Sequence, residues 1–156
     1  MPFPEGQHRA RVRRLIIGCG NPDRGDDAAG LLVARRLGEL GCEAVEHTGE
    51  GVALLDLFEQ AADVVIVDAA VTGAPAGTIH VWDAKGALPG WEAAGGSTHH
   101  FGIAEGLRLA AALGRLPERV LVYGIEGRNF GLGDAPSPEV LRAVEELARR
   151  IASEPA

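Results

Sequence analysis

The chain has 156 residues, of which 46% are apolar and 24% charged, as in an ordinary globular domain. Its net charge of −7 at pH 7 excludes nucleic acid as the main partner, because contacts to phosphates require a basic surface. No apolar run is long enough to cross a bilayer, so membrane insertion is not expected. We predict one α/β domain over residues 14–153, preceded by a flexible basic arm at residues 1–13.

The amino-terminal residues and the cysteines predict a cytoplasmic protein. The segment before the first predicted strand is basic and lacks the apolar stretch of a secretory signal. Cys19 and Cys42 form no CxxC motif. We expect both to be reduced thiols in separate strands, with a single disulfide as the alternative.

Apolar patterning predicts alternating strands and helices along the whole domain. It predicts strands at residues 15–19, 42–47, 63–68, 77–83 and 119–125, and helices at 26–40, 52–60, 99–113 and from 138 onward. Residues 64–67 (Val-Val-Ile-Val) are unbroken and β-branched, which is typical of a strand buried on both faces. Residues 77–83 alternate and indicate an edge or antiparallel strand. This order predicts a mostly parallel sheet covered by helices on both faces.

Two polar residues are expected to cap helices. Asp26 stands at the start of the first predicted helix, and Ser137 precedes Pro138 at the start of the last one. Both residue types favour the position before a helix, and proline favours the first turn. We expect the apolar stripes of these two helices to include Leu40 and Leu141.

Carboxylates and imidazoles follow the predicted strands at three places. Asp26 and Asp27 lie in a glycine-rich turn after the first strand, and Asp68 ends the third. His99 and His100 begin a helix. The carboxyl ends of parallel strands meet at one sheet edge, where ligands bind, so these side chains can converge. The turn carries acid where a phosphate would need N–H groups and a cation. The pattern therefore favours a divalent-metal site.

Each of these residues also has a structural interpretation. Asp27 can complement the dipole of the following helix, Asp68 can accept hydrogen bonds within its own turn, and either histidine can cap a helix or lie at the surface. Their joint occurrence at one sheet edge favours the metal site over these separate interpretations. Of the other polar residues, we assign structural roles to His47 and His80. We assign roles in support of the site to Glu50 and Glu126.

Several common active-site motifs are missing from the sequence. Gly18-Cys19-Gly20 begins like the GxGxxG dinucleotide motif, but Asp23 stands where the third glycine belongs, and His47 ends the second strand where an acid is expected. There is neither a P-loop nor a GxSxG nucleophile elbow. Carboxylates near Cys19 are expected to raise the pKa of its thiol, which argues against a cysteine protease.

From about Leu15 to the last helix, the motifs resemble those of the [NiFe]-hydrogenase maturation endopeptidases. The family begins with a strand, Gly-x-Gly-Asn, a spacer and an acidic pair followed by a small residue and Gly. The corresponding segments here are residues 18–30, then Asp68-Ala69 after the apolar strand, Ser97-Thr98-His99 before a helix, and the later Gly124-Ile125-Glu126 and Ser137-Pro138. The joint pattern is specific, whereas no single motif is.

This resemblance implies a three-layer α/β/α sandwich, phosphorylase/hydrolase-like, with a mostly parallel twisted sheet of five strands. It implies an aspartyl-type or metal-dependent endopeptidase that removes a short C-terminal extension from a nickel-loaded hydrogenase large-subunit precursor. Carried over by position, Asp27, Asp68 and His99 are the catalytic residues and contact the nickel, with His100 as the alternative to His99. The precursor supplies the nickel, and other divalent ions can occupy the site in vitro.

Two alternative functions are compatible with the same residues. One is a non-enzymatic module that binds nickel or another divalent metal, and the other is a peptidase of this fold with a different substrate. After Glu126 the chain continues with residues 127–130, Gly-Arg-Asn-Phe, where many members of the family have proline. This difference leaves the particular hydrogenase partner open.

Overall fold

The structure of the chain is a computed structural model that describes residues 12–84 and 98–154; for residues 12, 13 and 98–101 it describes the backbone alone. In this part of the chain, the strands and helices follow one another in the order that the sequence predicts. The strands are β1 (Val12–Cys19), β2 (Ala44–His47), β3 (Ala61–Ala70), β4 (Ile79–Asp83) and β5 (Arg119–Glu126). The α-helices are α1 (Ala29–Glu39), α2 (Gly51–Phe58), α3 (Thr98–Ala112) and α4 (Pro138–Ser153), and a 3₁₀ helix (Gly25–Ala28) joins β1 to α1.

The five strands form one sheet in the order β2-β1-β3-β5-β4. All neighbouring pairs are parallel except β4 and β5, which are antiparallel. β3 is central, in agreement with its unbroken apolar run, and β4 is the antiparallel edge strand that the alternation at residues 77–83 predicts. The mostly parallel five-stranded sheet confirms the predicted fold class.

Helices cover both faces of the sheet and enclose two separate apolar cores. On one face, Phe58 of α2 and Leu107 of α3 belong to the same buried cluster as Ile66 of β3. On the other face, Leu37 of α1 and Leu147 of α4 share a cluster with strand residues that alternate with those of the first core. The result is the predicted three-layer α/β/α sandwich, in which each helix buries an apolar stripe.

Several predicted details are wrong. The first helix begins at Ala29, because residues 25–28 form the 3₁₀ helix instead. Leu40 lies beyond the end of α1 and is exposed. Leu141 is also exposed, since it stands about 100° around α4 from the buried Val140. Cys42 precedes β2 and is not part of a strand.

The described residues also bear on the other sequence predictions. β1 begins at Val12, inside the segment predicted as an arm, whose residues 1–11 lie outside the described part of the chain, as does Ser97. Cys19 and Cys42 are both free, so the alternative of a disulfide is wrong. None of the helices within residues 12–84 and 98–154 combines the length and apolar character needed to cross a membrane.

Candidate active site

Close contacts between glycines and backbone carbonyls hold the start of α1 against the strand ends. A Cβ atom on Gly30 would overlap the carbonyl oxygens of Cys19 in β1 and Val67 in β3. A Cβ atom on Gly18 would overlap the carbonyl oxygen of Gly30. The motif therefore needs glycine at both positions to let the helix approach the sheet. This close packing places the 3₁₀ helix and its acidic pair at the edge of the sheet where the parallel strands have their carboxyl ends, called the carboxyl edge below.

Gly20 and Asn21 tie the backbone of Asp27 to the end of β1. A Cβ atom on Gly20 would overlap the carbonyl oxygen of Asp27, and the N–H of Asn21 donates to that same oxygen at 3.3 Å. The Gly-Asn pair of the motif thus contacts the main chain of the residue predicted to bind metal. The sequence alone does not reveal this contact, because Asn21 and Asp27 are six positions apart.

The structure brings Asp27 and Asp68 to the same edge of the sheet. Both carboxyl groups are buried, at 4% and 1% exposure of the residue. Asp68 lies in β3, level with Gly124 of β5, and the 3₁₀ helix that contains Asp27 packs against β3. Oδ1 of Asp68 accepts a hydrogen bond from the N–H of the next residue, Ala69, at 2.8 Å. This is a local hydrogen bond of the kind that the structural interpretation of Asp68 assumes.

His99 and His100 lie in the first turn of α3, but their side chains are outside what the structure describes. The start of α3 is near the same edge of the sheet, because a Cβ atom on Gly102 would overlap the carbonyl oxygen of Gly49 in the segment that follows β2. The choice of His99 over His100 as a ligand stays a prediction.

Asp27 and Asp68 are the two predicted metal donors whose side chains the structure describes. Among the described side chains, no group of three or more His, Cys, Asp and Glu residues could hold a metal ion. Asp27 and Asp68 would supply oxygen ligands, which suit a divalent ion together with nitrogen or sulfur donors. A metal bound here would need a further ligand from outside the described side chains, such as an imidazole of α3 or a group on a bound protein.

Asp26 has a different role from the predicted helix cap. Its fully buried carboxylate accepts four hydrogen bonds: Oδ2 from the N–H groups of Arg128 (2.9 Å) and Asn129 (3.0 Å) and from the hydroxyl of Ser137 (2.8 Å), and Oδ1 from the N–H of Ser137 (2.5 Å). Burial acts to raise the pKa of Asp26, but these hydrogen bonds outweigh it and lower the pKa. Ser137 does precede α4 as predicted, but its hydroxyl makes no cap hydrogen bond.

Glu126 anchors a second loop at this edge through another buried carboxylate. Its Oε1 accepts hydrogen bonds from the hydroxyl of Thr72 (2.8 Å) and Nε2 of His80 (3.0 Å). Its Oε2 accepts from the N–H groups of Thr72 (2.8 Å) and Gly73 (3.2 Å). Burial acts to raise the pKa of Glu126, and the hydrogen bonds reverse this effect and lower it. The imidazole of His80 bonds to Glu126 and stacks on Trp82, so the contacts of His80 are structural.

Cys19 and His47 stand side by side at the ends of β1 and β2. Burial raises the pKa of the Cys19 thiol well above its usual value, and the charge of Asp68 raises it further. Such a thiol stays protonated and is a poor nucleophile. Nδ1 of His47 accepts a hydrogen bond from the N–H of Gly49 at 2.8 Å. Burial lowers the pKa of His47, against the opposing charge of Glu50, so its imidazole is neutral at pH 7.

Comparison with known proteins identifies the family of this chain. The family model for hydrogenase maturation proteases of the HycI type matches residues 45–154, more than two thirds of the chain. The chain belongs to the hydrogenase maturation protease family. It is therefore a hydrolase of peptide bonds, and the prediction of the family is confirmed.

Solved structures agree with the assignment to the hydrogenase maturation proteases. The [NiFe] hydrogenase maturation protease HybD from Thermococcus kodakarensis is 28% identical, with a TM-score of 0.77 over 91% of this chain and 100% of that one. HycI from the same organism is 26% identical, with a TM-score of 0.71 over 96% of each chain. The maturating endopeptidase HybD from E. coli, at 21% identity, shares the fold with a TM-score of 0.79 over 90% of each chain. No curated protein sequence gives a significant match.

Proposed function

We propose that this protein removes a short C-terminal extension from the nickel-loaded large-subunit precursor of a [NiFe] hydrogenase. The observation that carries the proposal is the buried pair Asp27 and Asp68 at the carboxyl edge of the sheet, in a chain of the hydrogenase maturation protease family. Two buried carboxylates at a sheet edge are suited to contact a divalent ion carried by a protein substrate.

In this proposal the nickel is part of the substrate, because it arrives already bound to the precursor. Asp27 and Asp68 add oxygen ligands, and His99 adds an imidazole nitrogen. Recognition then depends on the metal, so a precursor without nickel is not cut. In the absence of the precursor, other divalent ions can bind the same three residues.

Cleavage adds water to the carbonyl carbon of the scissile bond. The C–N bond breaks, the new carboxyl group keeps the oxygen of the water, and a proton passes to the departing amine. We assign the activation of this water to the nickel and to the carboxylates around it. Cys19 takes no part as a nucleophile, because burial and the charge of Asp68 keep its thiol protonated.

We place the reaction in the cytoplasm, where thiols stay reduced. The free state of both cysteines supports this location. The proposed partner is the large-subunit precursor itself, and the residues of the chain that contact it are expected around the carboxyl edge.

The proposal is tested by incubating the protein with the cognate precursor in nickel-loaded and nickel-free form, followed by intact mass measurement. We expect loss of a short C-terminal peptide from the loaded form alone. The variant Asp27→Asn should leave both forms intact, whereas Asp23→Asn, the same change at an exposed neighbour, should cleave like the wild type. Absence of cleavage of the loaded form by the wild type would contradict the proposal.

A further inference from the structure

Two loops meet beside the acidic pair and are bonded into a single unit. The N–H of Gly133 donates to the carbonyl oxygen of Asp23 at 2.7 Å, and the N–H of Asp26 donates to the carbonyl oxygen of Asn129 at 2.8 Å. Gly25 packs directly on the same carbonyl of Asn129, where a Cβ atom would overlap it. The turn after β1 and the segment 128–137 therefore hold each other in place.

The carboxylate of Asp26 is the centre of this unit. It accepts its four hydrogen bonds from residues 128, 129 and 137, which are 102 to 111 positions away in sequence. Gly127 completes the contact, since a Cβ atom there would come within 2.8 Å of the Cβ of Asp26. A fully buried carboxylate is stable only with such partners, because an unpaired buried charge is strongly unfavourable.

The 3₁₀ helix that contains Asp26 has little stability of its own. It spans four residues and has no side-chain hydrogen bond at its amino-terminal cap. Short 3₁₀ segments have poor hydrogen-bond geometry, and a single turn gains little from cooperativity. Its position therefore depends on contacts with the rest of the chain: Asp26 bonds to segment 128–137, and Gly20 packs on the carbonyl oxygen of Asp27.

We propose that Asp26 is a positioning residue of the active site: through segment 128–137 it fixes the 3₁₀ helix, and with it Asp27, at the edge of the sheet. This inference rests on the proposed function of Asp27. Asp26 itself does not touch the substrate in this account, because its two oxygens are occupied by the main chain and by Ser137.

The variant Asp26→Asn tests this role with a minimal change of shape. It replaces one acceptor oxygen by an NH₂ group that faces N–H donors, so segment 128–137 and the 3₁₀ helix lose part of their connection. We measure amide hydrogen exchange, and kcat and KM with the nickel-loaded precursor. We expect exchange in residues 26–28 and 128–137 to accelerate at least about tenfold, and kcat to fall about 10–100-fold, as for other residues that orient metal ligands. KM should change less than kcat.

Two further variants make the test decisive. Asp23→Asn makes the same chemical change in the same turn at an exposed position and should alter neither exchange nor kcat. Ser137→Ala removes one hydrogen-bond donor to Asp26 and should accelerate exchange and lower kcat, each by less than Asp26→Asn. If Asp26→Asn does not fold, Ser137→Ala takes its place, and no change in exchange and kcat would overturn the inference.

The outcomes separate this inference from the proposed function. Faster exchange in Asp26→Asn with unchanged kcat overturns it, because Asp26 then stabilises the loop only. A lower kcat with unchanged exchange also overturns it, because Asp26 then acts directly. If the wild type does not cleave, the proposed function fails, and exchange at residues 26–28 decides only the structural part of the inference: acceleration shows that Asp26 fixes the 3₁₀ helix, and no change overturns this.

Discussion

Asp68 and Asp27 occupy the same edge of the sheet but are held there by different means. Asp68 lies within β3, which pairs with β1 on one side and β5 on the other. Asp27 lies outside the sheet, in a single-turn 3₁₀ helix connected to its surroundings through Gly20, Asn21 and Asp26. Regular backbone pairing fixes one carboxylate, whereas a few particular residues fix the other.

Glu126 and Asp26, which each bond to a loop through a buried carboxylate, differ in the same way. Glu126 holds the loop after β3 at Thr72 and Gly73, but Asp68 is already fixed by the sheet. Asp26 holds the segment on which the position of Asp27 depends. Equivalent networks of four hydrogen bonds thus have different consequences: loss of Glu126 should reduce stability, and loss of Asp26 should also reduce activity.

The largest expected effect is the loss of cleavage when either of the two predicted metal ligands, Asp27 or Asp68, is replaced. Asp27→Asn and Asp68→Asn should each lower the rate with nickel-loaded precursor by roughly 10²–10³-fold, the range for removal of one preorganised electrostatic contact. The rate is followed by intact mass. Asp63→Asn, at the opposite end of β3, is the control and should keep the wild-type rate per folded molecule. Full activity of both site variants would remove Asp27 and Asp68 from the mechanism.

Replacement of Glu126 should affect stability more than activity. Glu126→Ala leaves the N–H groups of Thr72 and Gly73 and the hydroxyl of Thr72 without their acceptor. We expect the free energy of unfolding to fall by about 2–4 kcal/mol, as measured by urea denaturation, with cleavage by the folded protein nearly unchanged. Glu105→Ala, at an exposed glutamate of α3, should change stability little. A large loss of activity in folded Glu126→Ala would show that Asp68 depends on this loop.

The same glutamate predicts an acid-dependent part of the stability. The hydrogen bonds of Glu126 hold its pKa below the ordinary value of 4.5, against the effect of burial. Its ionised form is therefore favoured by folding, so its contribution is complete above pH 4.5 and is lost as the pH falls through the lowered value. The stability difference between the wild type and Glu126→Gln should narrow on acidification. A difference that is constant between pH 3 and pH 7 would contradict this.

The two thiols should differ in reactivity, which tests how closed the strand ends near Asp68 are. Cys19 is buried and its pKa is raised, whereas Cys42 is partly exposed. Iodoacetamide at pH 8 should add one label to the native protein, on Cys42, and two after unfolding. Mass mapping locates the labels. Equal labelling rates at both cysteines in the native state would show that this edge opens readily.

Local patterns in the sequence were sufficient for much of the fold and for the location of the candidate site. The apolar run at residues 64–67 identifies the central strand and places Asp68 at its end. The glycines of the first motif predict a turn at the sheet edge, although their contacts with carbonyls of β1 and β3 come only from the structure. The residues carried over from the family resemblance, Asp27 and Asp68, lie at one edge because parallel strands align their carboxyl ends.

Long-range contacts account for what the sequence did not predict. Asp26 before an apolar run indicates a helix cap, but its partner Ser137 is 111 residues away, and no local rule connects the two. The same holds for Glu126 and His80, which are 46 positions apart. The spacing of apolar residues predicts Leu40 and Leu141 in the apolar stripes of their helices, but where the first helix ends and how the last one is rotated leave both side chains exposed.

The contact between this chain and the nickel of the precursor is the central claim, and X-ray absorption at the nickel K-edge tests it most directly. Loaded precursor is measured alone, with the wild type, and with an Asp27→Ala/Asp68→Ala variant, in samples frozen before cleavage as checked by mass. We predict added oxygen and nitrogen neighbours at the nickel with the wild type, and fewer oxygen neighbours with the variant. An identical nickel spectrum in all three samples would contradict the account.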